Sequence, residues 1–168
     1  LAFGRAVPEA RCMGKRNQAA ALPLRQKKSG KAKILLVTSR DTGRWVLPKG
    51  WIEKGLKPHE AAAREAEEEA GVCGRIDNEA IGTYSYAKAL DRKTVQLIRV
   101  SVFPLYVCEV NDTWPEASER KRRWVTPDQA AEMVDEPGLV AIFDELDNVW
   151  DDVLERLDLE ERPPSERC

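Results

Sequence analysis

The chain has 168 residues, of which 42% are hydrophobic and 33% charged, a size and balance that fit one folded domain and leave no room for a second catalytic unit. With 27 Lys and Arg against 29 Asp and Glu the net charge is −2, so no bulk positive field argues for a duplex nucleic-acid partner. No stretch approaches the roughly 18 consecutive apolar residues of a membrane-spanning helix. The four cysteines, Cys12, Cys73, Cys108 and Cys168, show no paired spacing, and the N-terminus lacks the order of a signal peptide. A cytoplasmic, reducing setting with no membrane partner is the expectation.

Charge is segregated along the chain. Residues 1–33 hold nine Lys and Arg against the single acid Glu9, whereas from Ala141 onward ten acids face three arginines. The first residues mix Gly, Pro and Arg without apolar periodicity, and 1–16 read as a mobile basic arm. Gln18 to Arg25 and Ile34 to Ser39 are two apolar runs around a Lys-rich turn at Gly30, a hairpin signal. Trp45 to Leu47 adds a short strand stopped by Pro48, and residues 49–57 read as a loop. Pro58 then opens a helix rich in Ala and Glu that runs to Ala70, with Gly71 placed to end it.

Ile81 to Ala89 and Gln96 to Val110 read as strands joined by a turn at Asp91-Arg92-Lys93, the second interrupted at Pro104. Arg123 to Val125 is a further short strand. Thr126-Pro127 starts a helix to about Val134, and Pro137-Gly138 separates it from a last helix, about Leu139 to Leu157, before a frayed tail at 159–168. Helices interrupting hairpin-like strands point to α+β or a layered sandwich rather than a doubly wound parallel sheet.

The informative segment is Gly50 to Val72, GWIEKGLKPHEAAAREAEEEAGV. On a helix Glu65, Glu68 and Glu69 stand at i, i+3 and i+4 and share one face, while Glu67 points away. The opposite face is almost all alanine, Ala62, Ala63, Ala66 and Ala70, which lets the backbone sit tight against a sheet and leaves the carboxylate edge bordering a cleft. Like charges stacked that closely are costly unless they share a cation, and oxygen-only ligands suit Mg²⁺ or Mn²⁺, which bind through a few carboxylates plus substrate phosphates. Arg64 adjoins the cluster and is placed to hold one carboxylate. His59 is the only histidine and reads as a surface residue, so no Ser-His-Asp or Cys-His arrangement can be assembled.

This segment resembles the Nudix box, G-x5-E-x7-R-E-U-x-E-E-x-G-U with U a bulky apolar residue. Gly50, Arg64, Glu65, Glu68, Glu69, Gly71 and Val72 stand in register; Leu56 occupies the place of the first Glu, and Ala66 is small for an apolar position. The resemblance implies a Nudix fold, an α/β/α sandwich with a mixed β-sheet, over residues 17–158, and metal-dependent hydrolysis of a diphosphate joined to another moiety. It implies Glu65 and Glu69 as metal ligands, Glu68 as a ligand or as the base for the attacking water, and Arg64 as the group that orients a glutamate. Outside the box, QAAALPLR, LLVTSR ahead of RWVLPKG, and RKRRWVTPDQAAEMV resemble the diadenosine-polyphosphate and diphosphoinositol-polyphosphate hydrolase branch. In that branch the Lys49 carbonyl is a further metal-ligand candidate.

A polyphosphorylated small molecule is the expected partner, and Arg40, Lys49, Arg120 and Arg122 are its candidate phosphate contacts, because arginine offers bidentate bonds to phosphate. Arg120 and Arg122 are singled out since alternate residues of an extended segment share a face. Tyr84 and Tyr86 alternate on one strand and are placed either to stack a base or to pack in the core. Glu116 and Glu119 are further ligand candidates. Two other readings stand beside the first: removal of a 5′ diphosphate from RNA, suggested by the basic arm, and a non-catalytic nucleotide-binding module, suggested by Leu56. Oligomeric state is left open.

Overall fold

The structure is a computed structural model and describes residues 11–27, 29–159, 162, 163, 166 and 168. Among these residues eight strands form one mixed sheet: β1 (Arg11–Gln26), β2 (Ala32–Thr38), β3 (Trp45–Val46), β4 (Lys49–Trp51), β5 (Val72–Ile76), β6 (Gly82–Ala89), β7 (Thr94–Val110) and β8 (Arg122–Val125). Helix α1 spans Pro58–Ala70, α2 Pro127–Met133 and α3 Pro137–Arg156. β1 and β7 lie parallel at the centre, and every other pairing is antiparallel.

Both central strands are buried on two faces, and the period of two along each assigns side chains to two cores. Ala20, Leu22 and Leu24 of β1, with Ile98, Val100 and Val102 of β7, face Leu139, Phe143, Leu146 and Trp150 of α3. Ala19 and Ala21 of β1, with Phe103, Leu105 and Val107 of β7, face Ala61, Ala62, Ala66 and Ala70 of α1. The result is the expected α/β/α sandwich. Alanines meet alanines at the α1 interface, so the box helix lies close to the sheet, with Glu69 buried and Glu65 half-buried beside it while Glu68 stays exposed.

Helix α1 ends at Gly71 in the left-handed region, φ 65°, with its N–H bonded back to Ala66 and Glu67 carbonyls. Thr126 caps α2 by accepting from Gln129 N–H, and Gln129 returns the bond, a capping box. No helix among the described residues is long and apolar enough to cross a membrane.

Five expectations change. β1 begins at Arg11, so residues 11–16 belong to a strand rather than to a mobile arm; Arg11 to Met13 pair with Thr94 to Gln96 across an irregularity before Arg16. Backbone pairing to the long β7 orders this segment without needing apolar side chains. Residues 1–10 of the expected arm lie outside the described residues. The expected loop 49–57 contains β4, paired to β1 through Gln18↔Trp51 and Ala20↔Lys49.

β7 runs unbroken through Pro104. That residue falls where β6 has ended, at Gly82↔Val102, and β5 begins, at Ile76↔Leu105. The ladder has a gap at this point, and the missing N–H breaks no bond. β5 itself was not expected, because VCGRI is short and carries a glycine; Gly74 sits at a register shift, where a Cβ would overlap the Tyr106 carbonyl. Finally, Cys108 and Cys168 form a disulfide across 60 residues of sequence, a pairing that spacing does not reveal. It removes the cysteine argument for a reducing compartment.

Candidate active site

Past the end of β2, beside β4 and Gln18 of β1, runs a cleft of about 790 Å³ that is also lined by α1, by Tyr86 to Ala89 of β6 and by Glu136 before α3. Glu65, Glu68 and Glu69 all line it, with Lys49, Gly50, Arg40 and Arg120.

Glu69 is the most enclosed of the three carboxylates, with 8% of its side chain exposed. Its Oε2 accepts the Lys49 backbone N–H at 3.2 Å and its Oε1 accepts from Arg120 Nη2 at 2.9 Å. Burial nevertheless dominates and pushes its pKa up to about 7, with the neighbouring Glu65 adding to the rise and Arg120 opposing it. Burial also raises Glu65, reinforced by the charges of Glu68 and Glu116; its carboxyl shares a hydrogen bond with Glu69. Gly50 makes this approach possible, since a Cβ there would overlap the Glu65 carboxylate.

Arg120 is as enclosed as Glu69 and is held on three sides. It donates to the Thr38 carbonyl at 2.9 Å and to Glu69, and its Nε lies 3.5 Å from Glu116 Oε2. Arg40 pairs with Glu116 at 3.1 Å. The loop carrying Glu116 is tied to the box helix by the Glu116 N–H bonded to the Glu68 carbonyl at 3.1 Å and by Trp114 Nε1 bonded to the Glu69 carbonyl at 3.0 Å.

Not every expected residue joins the cleft. Arg122 is not among the lining residues: its guanidinium donates to the carbonyls of Ala70 and Asn111 at 2.8 Å each and lies over the Trp114 ring, closing the C-terminal end of α1. Carbonyls left unpaired at a helix end attract a cation, and β8 begins only at Arg122, so the shared-face argument does not extend back to Arg120. Gly71 lies against the same group, a Cβ there falling 2.9 Å from Arg122 Nη1 and 2.8 Å from Trp114.

Arg64 does not hold a glutamate of the cluster either. Its partner is Glu53, at 2.8 Å, in the loop before the helix. Leu56, at the motif's first Glu position, packs instead against the apolar cluster under α1. His59 packs its ring toward Phe103, with centroids 6.3 Å apart.

Opposite the glutamates the wall is assembled from distant segments. Tyr84 is core, 4% exposed, whereas Tyr86 lines the cleft and donates its hydroxyl to Gln18 Oε1 at 2.9 Å. The Lys49 ammonium lies over the Tyr86 ring, 5.4 Å from its centroid, and burial lowers its pKa. Gln18, Arg44 and Glu136 line the same wall, and no sequence signal marked them: they belong to different elements, and only the closed sheet brings them together.

Among the described residues no three His, Cys, Asp or Glu side chains already converge on one point. The oxygen-only pair Glu65 and Glu69, with Glu68 on the same face, nonetheless fits a hard divalent cation, because Mg²⁺ is commonly bound through one or two carboxylates and completes its shell with water and substrate oxygens. Two neighbouring carboxylates whose pKa values are raised by burial, Glu69 further by the charge of Glu65 and Glu65 further by those of Glu68 and Glu116, carry the strain that a dication relieves.

Comparison with known proteins agrees with the box. The NUDIX domain profile matches residues 15–146, and the chain belongs to the NUDIX family. It is 33% identical over 133 residues to the chloroplastic Nudix hydrolase 21 of Arabidopsis thaliana, covering 77% of this chain and 65% of the relative. To diphosphoinositol polyphosphate phosphohydrolase 3-alpha of Mus musculus it is 32% identical over 123 residues, covering 72% of this chain and 70% of the relative. Among the first of the curated relatives the chain spans about half to two thirds of their length, from 46% to 65%. The fold is also that of a C. elegans Ap4A hydrolase in a binary complex, with a TM-score of 0.60 at 17% identity over 82% of this chain and 98% of the other.

Proposed function

We propose that this protein hydrolyses a diphosphate bond in a polyphosphorylated small molecule, a dinucleoside polyphosphate or a diphosphoinositol polyphosphate, with Mg²⁺ or Mn²⁺. The observation that carries the reading is the buried Glu69 carboxylate, beside Glu65, on the floor of a cleft that also presents Lys49 and Arg120. The similarity to proteins named Nudix hydrolase and diphosphoinositol polyphosphate phosphohydrolase supports it.

In this reading Glu65 and Glu69, with Glu68, hold the metal, and the Lys49 carbonyl is a further oxygen. A bound divalent ion neutralises phosphate charge and makes water acidic enough to supply a nucleophile near neutral pH. The chain's own residues do the rest. Glu68, the most exposed of the three, takes the proton of the attacking water. Lys49 and Arg40 face the phosphates from the cleft walls. Arg120 fixes Glu69 against Thr38 and presents its remaining positive edge to the anion. Arg64, through Glu53, sets the loop that follows β4, whose Gly50 is the seat of Glu65.

The test is a screen for all phosphorylated products by anion-exchange chromatography, with Mg²⁺ and Mn²⁺, over dinucleoside polyphosphates, diphosphoinositol phosphates, nucleotide sugars, nucleoside triphosphates and 5′-triphosphorylated RNA, run beside Glu69→Gln. Turnover of one class that vanishes in the variant is expected. Turnover that survives Glu69→Gln overturns the reading, and silence across the panel with ligands still bound makes the protein a binding module.

A further inference from the structure

Asp41, Glu116 and Glu136 line the cleft without a part in the hydrolytic reading, and Glu136 is the most enclosed of them. Glu136 stands immediately before α3, at its N-cap position, yet makes no side-chain cap hydrogen bond. It lines the cleft with only 10% of its side chain exposed. Oε1 lies at the limit of contact with Arg44 Nη1, 3.5 Å, while the same Arg44 nitrogen makes its short bond, 2.9 Å, to Asp135. Oε2 is enclosed and has no hydrogen-bond partner. A carboxylate so placed neither caps its helix nor completes a close ion pair, and an enclosed acceptor without a donor is costly.

Its surroundings define what would satisfy it. The Tyr86 ring and the Lys49 ammonium stand nearby on the same wall and feel its charge. A phosphate placed here would meet a like charge. An uncharged group bearing N–H or O–H donors would instead pair with the carboxylate while its flat or apolar part lies along Tyr86. The terminal torsion of a glutamate is broad and roughly two-fold, so the carboxylate can turn an oxygen to such a ligand without moving the backbone.

We propose that Glu136 recognises the moiety joined to the diphosphate, accepting from the uncharged donors of a nucleoside: the N–H edge of the base or the hydroxyl pair of the ribose. This rests on the diphosphate reading above and narrows it, because the ring of phosphates on an inositol would bring anions against this carboxylate. Arg44 is a positioning residue here, holding the turn through Asp135.

The experiment is calorimetric titration of the full chain, with Mg²⁺ present, against GMP, AMP, ribose 5-phosphate and inorganic phosphate, none of which contains a diphosphate bond to be hydrolysed. For the wild type, at least one nucleoside ligand is expected to bind about tenfold or more tightly than inorganic phosphate. Glu136→Ala is expected to remove most of that preference, a change of about 10- to 100-fold for hydrogen bonds to a charged acceptor, and to leave inorganic phosphate within about twofold. Loss confined to GMP assigns the donors to the base; equal loss for AMP and ribose 5-phosphate assigns them to the ribose.

The proposal is overturned if the wild type shows no preference over phosphate, or if Glu136→Ala weakens all four ligands alike. It is equally overturned if Arg44→Gln reproduces the pattern, since the effect would then come from releasing the turn. The Glu69→Gln turnover assay reports separately on hydrolysis, so a failure of either reading is distinguishable from a failure of the other.

Discussion

The two walls of the cleft are built by different rules. On one side Glu65, Glu68 and Glu69 come from a single helix whose other face, Ala61, Ala62, Ala66 and Ala70, is at most 2% exposed. Their mutual placement is fixed by helix geometry and their depth by the alanine contact with the sheet. On the other side Gln18 comes from β1, Lys49 from β4, Tyr86 from β6 and Glu136 from the turn before α3. They come from four separate segments of the chain, brought together by the pairing of β1 with β4 and by the Tyr86–Gln18 hydrogen bond. A wall made of one helix keeps its geometry wherever the helix docks, whereas a wall made of four segments can be altered one residue at a time without disturbing the other. Chemistry and recognition should therefore separate under mutation.

The largest expected effect is on the helical wall. Glu69→Gln should lower turnover on the order of a thousandfold, as removal of a group acting directly at the reacting centre does, with the fold kept. Turnover measured beside a thermal melt checks both halves. The melt carries a sign of its own. Glu69 has its pKa raised from 4.5 to about 7, so between those values the native state holds a proton that the unfolded state releases. That contribution to stability is fully present below the unfolded value and is lost as pH rises through the native one. Metal-free protein should therefore lose stability from about pH 5 to about pH 8 more steeply than Glu69→Gln does, and equal slopes would show that Glu69 does not titrate in this window.

Next comes the cation between the walls. Arg120→Leu leaves Glu69 buried without its partner, and breaking an enclosed pair in this way costs roughly 3 kcal/mol or more. Urea unfolding should show that loss, whereas an exposed pair would show almost none. Gly50→Ala tests the seat of Glu65: the added Cβ must displace the carboxylate it would overlap. A drop in turnover between about ten- and a hundredfold is expected for a misplacement of this size, with substrate binding by the opposite wall largely retained.

How much of this was legible in the sequence follows the same division. The box helix, its left-handed glycine stop, the carboxylate face and the alanine face all depend on spacing within thirteen residues of α1, and spacing is what a sequence displays. Arg120 was legible as a candidate cation of the cleft, though its buried contacts with Glu69 and Thr38 were not. Arg122 lies outside the cleft lining, since reading alternate residues as one face assumes a strand, and the strand starts only at Arg122. β5 and the first turn of β1 are ordered by pairing with β7, a neighbour that nothing local announces. Glu136 was invisible for the same reason: its meaning lies in an oxygen without a partner, which only the packed wall can show.

The smallest expected effect concerns the place where this chain departs from the box. Leu56 stands where the motif carries its first Glu, and it spends its side chain on the apolar cluster beneath α1. The loop's carboxylate is instead Glu53, which reaches Arg64 at 2.8 Å with 64% and 48% of the two side chains exposed. An exposed pair of this kind contributes at most about 1 kcal/mol, so Glu53→Gln should barely shift the unfolding midpoint. Its effect on turnover should be a few-fold at most, since it acts on Glu65 only through the loop and Gly50. Leu56→Glu, which would restore the motif, should cost more stability than Glu53→Gln because it puts a charge among partly buried apolar groups. If Leu56→Glu proved the milder change, the loop would be adaptable enough to accept either carboxylate. The helical wall would then depend on its flanking loop less than the Glu53 and Arg64 pair suggests.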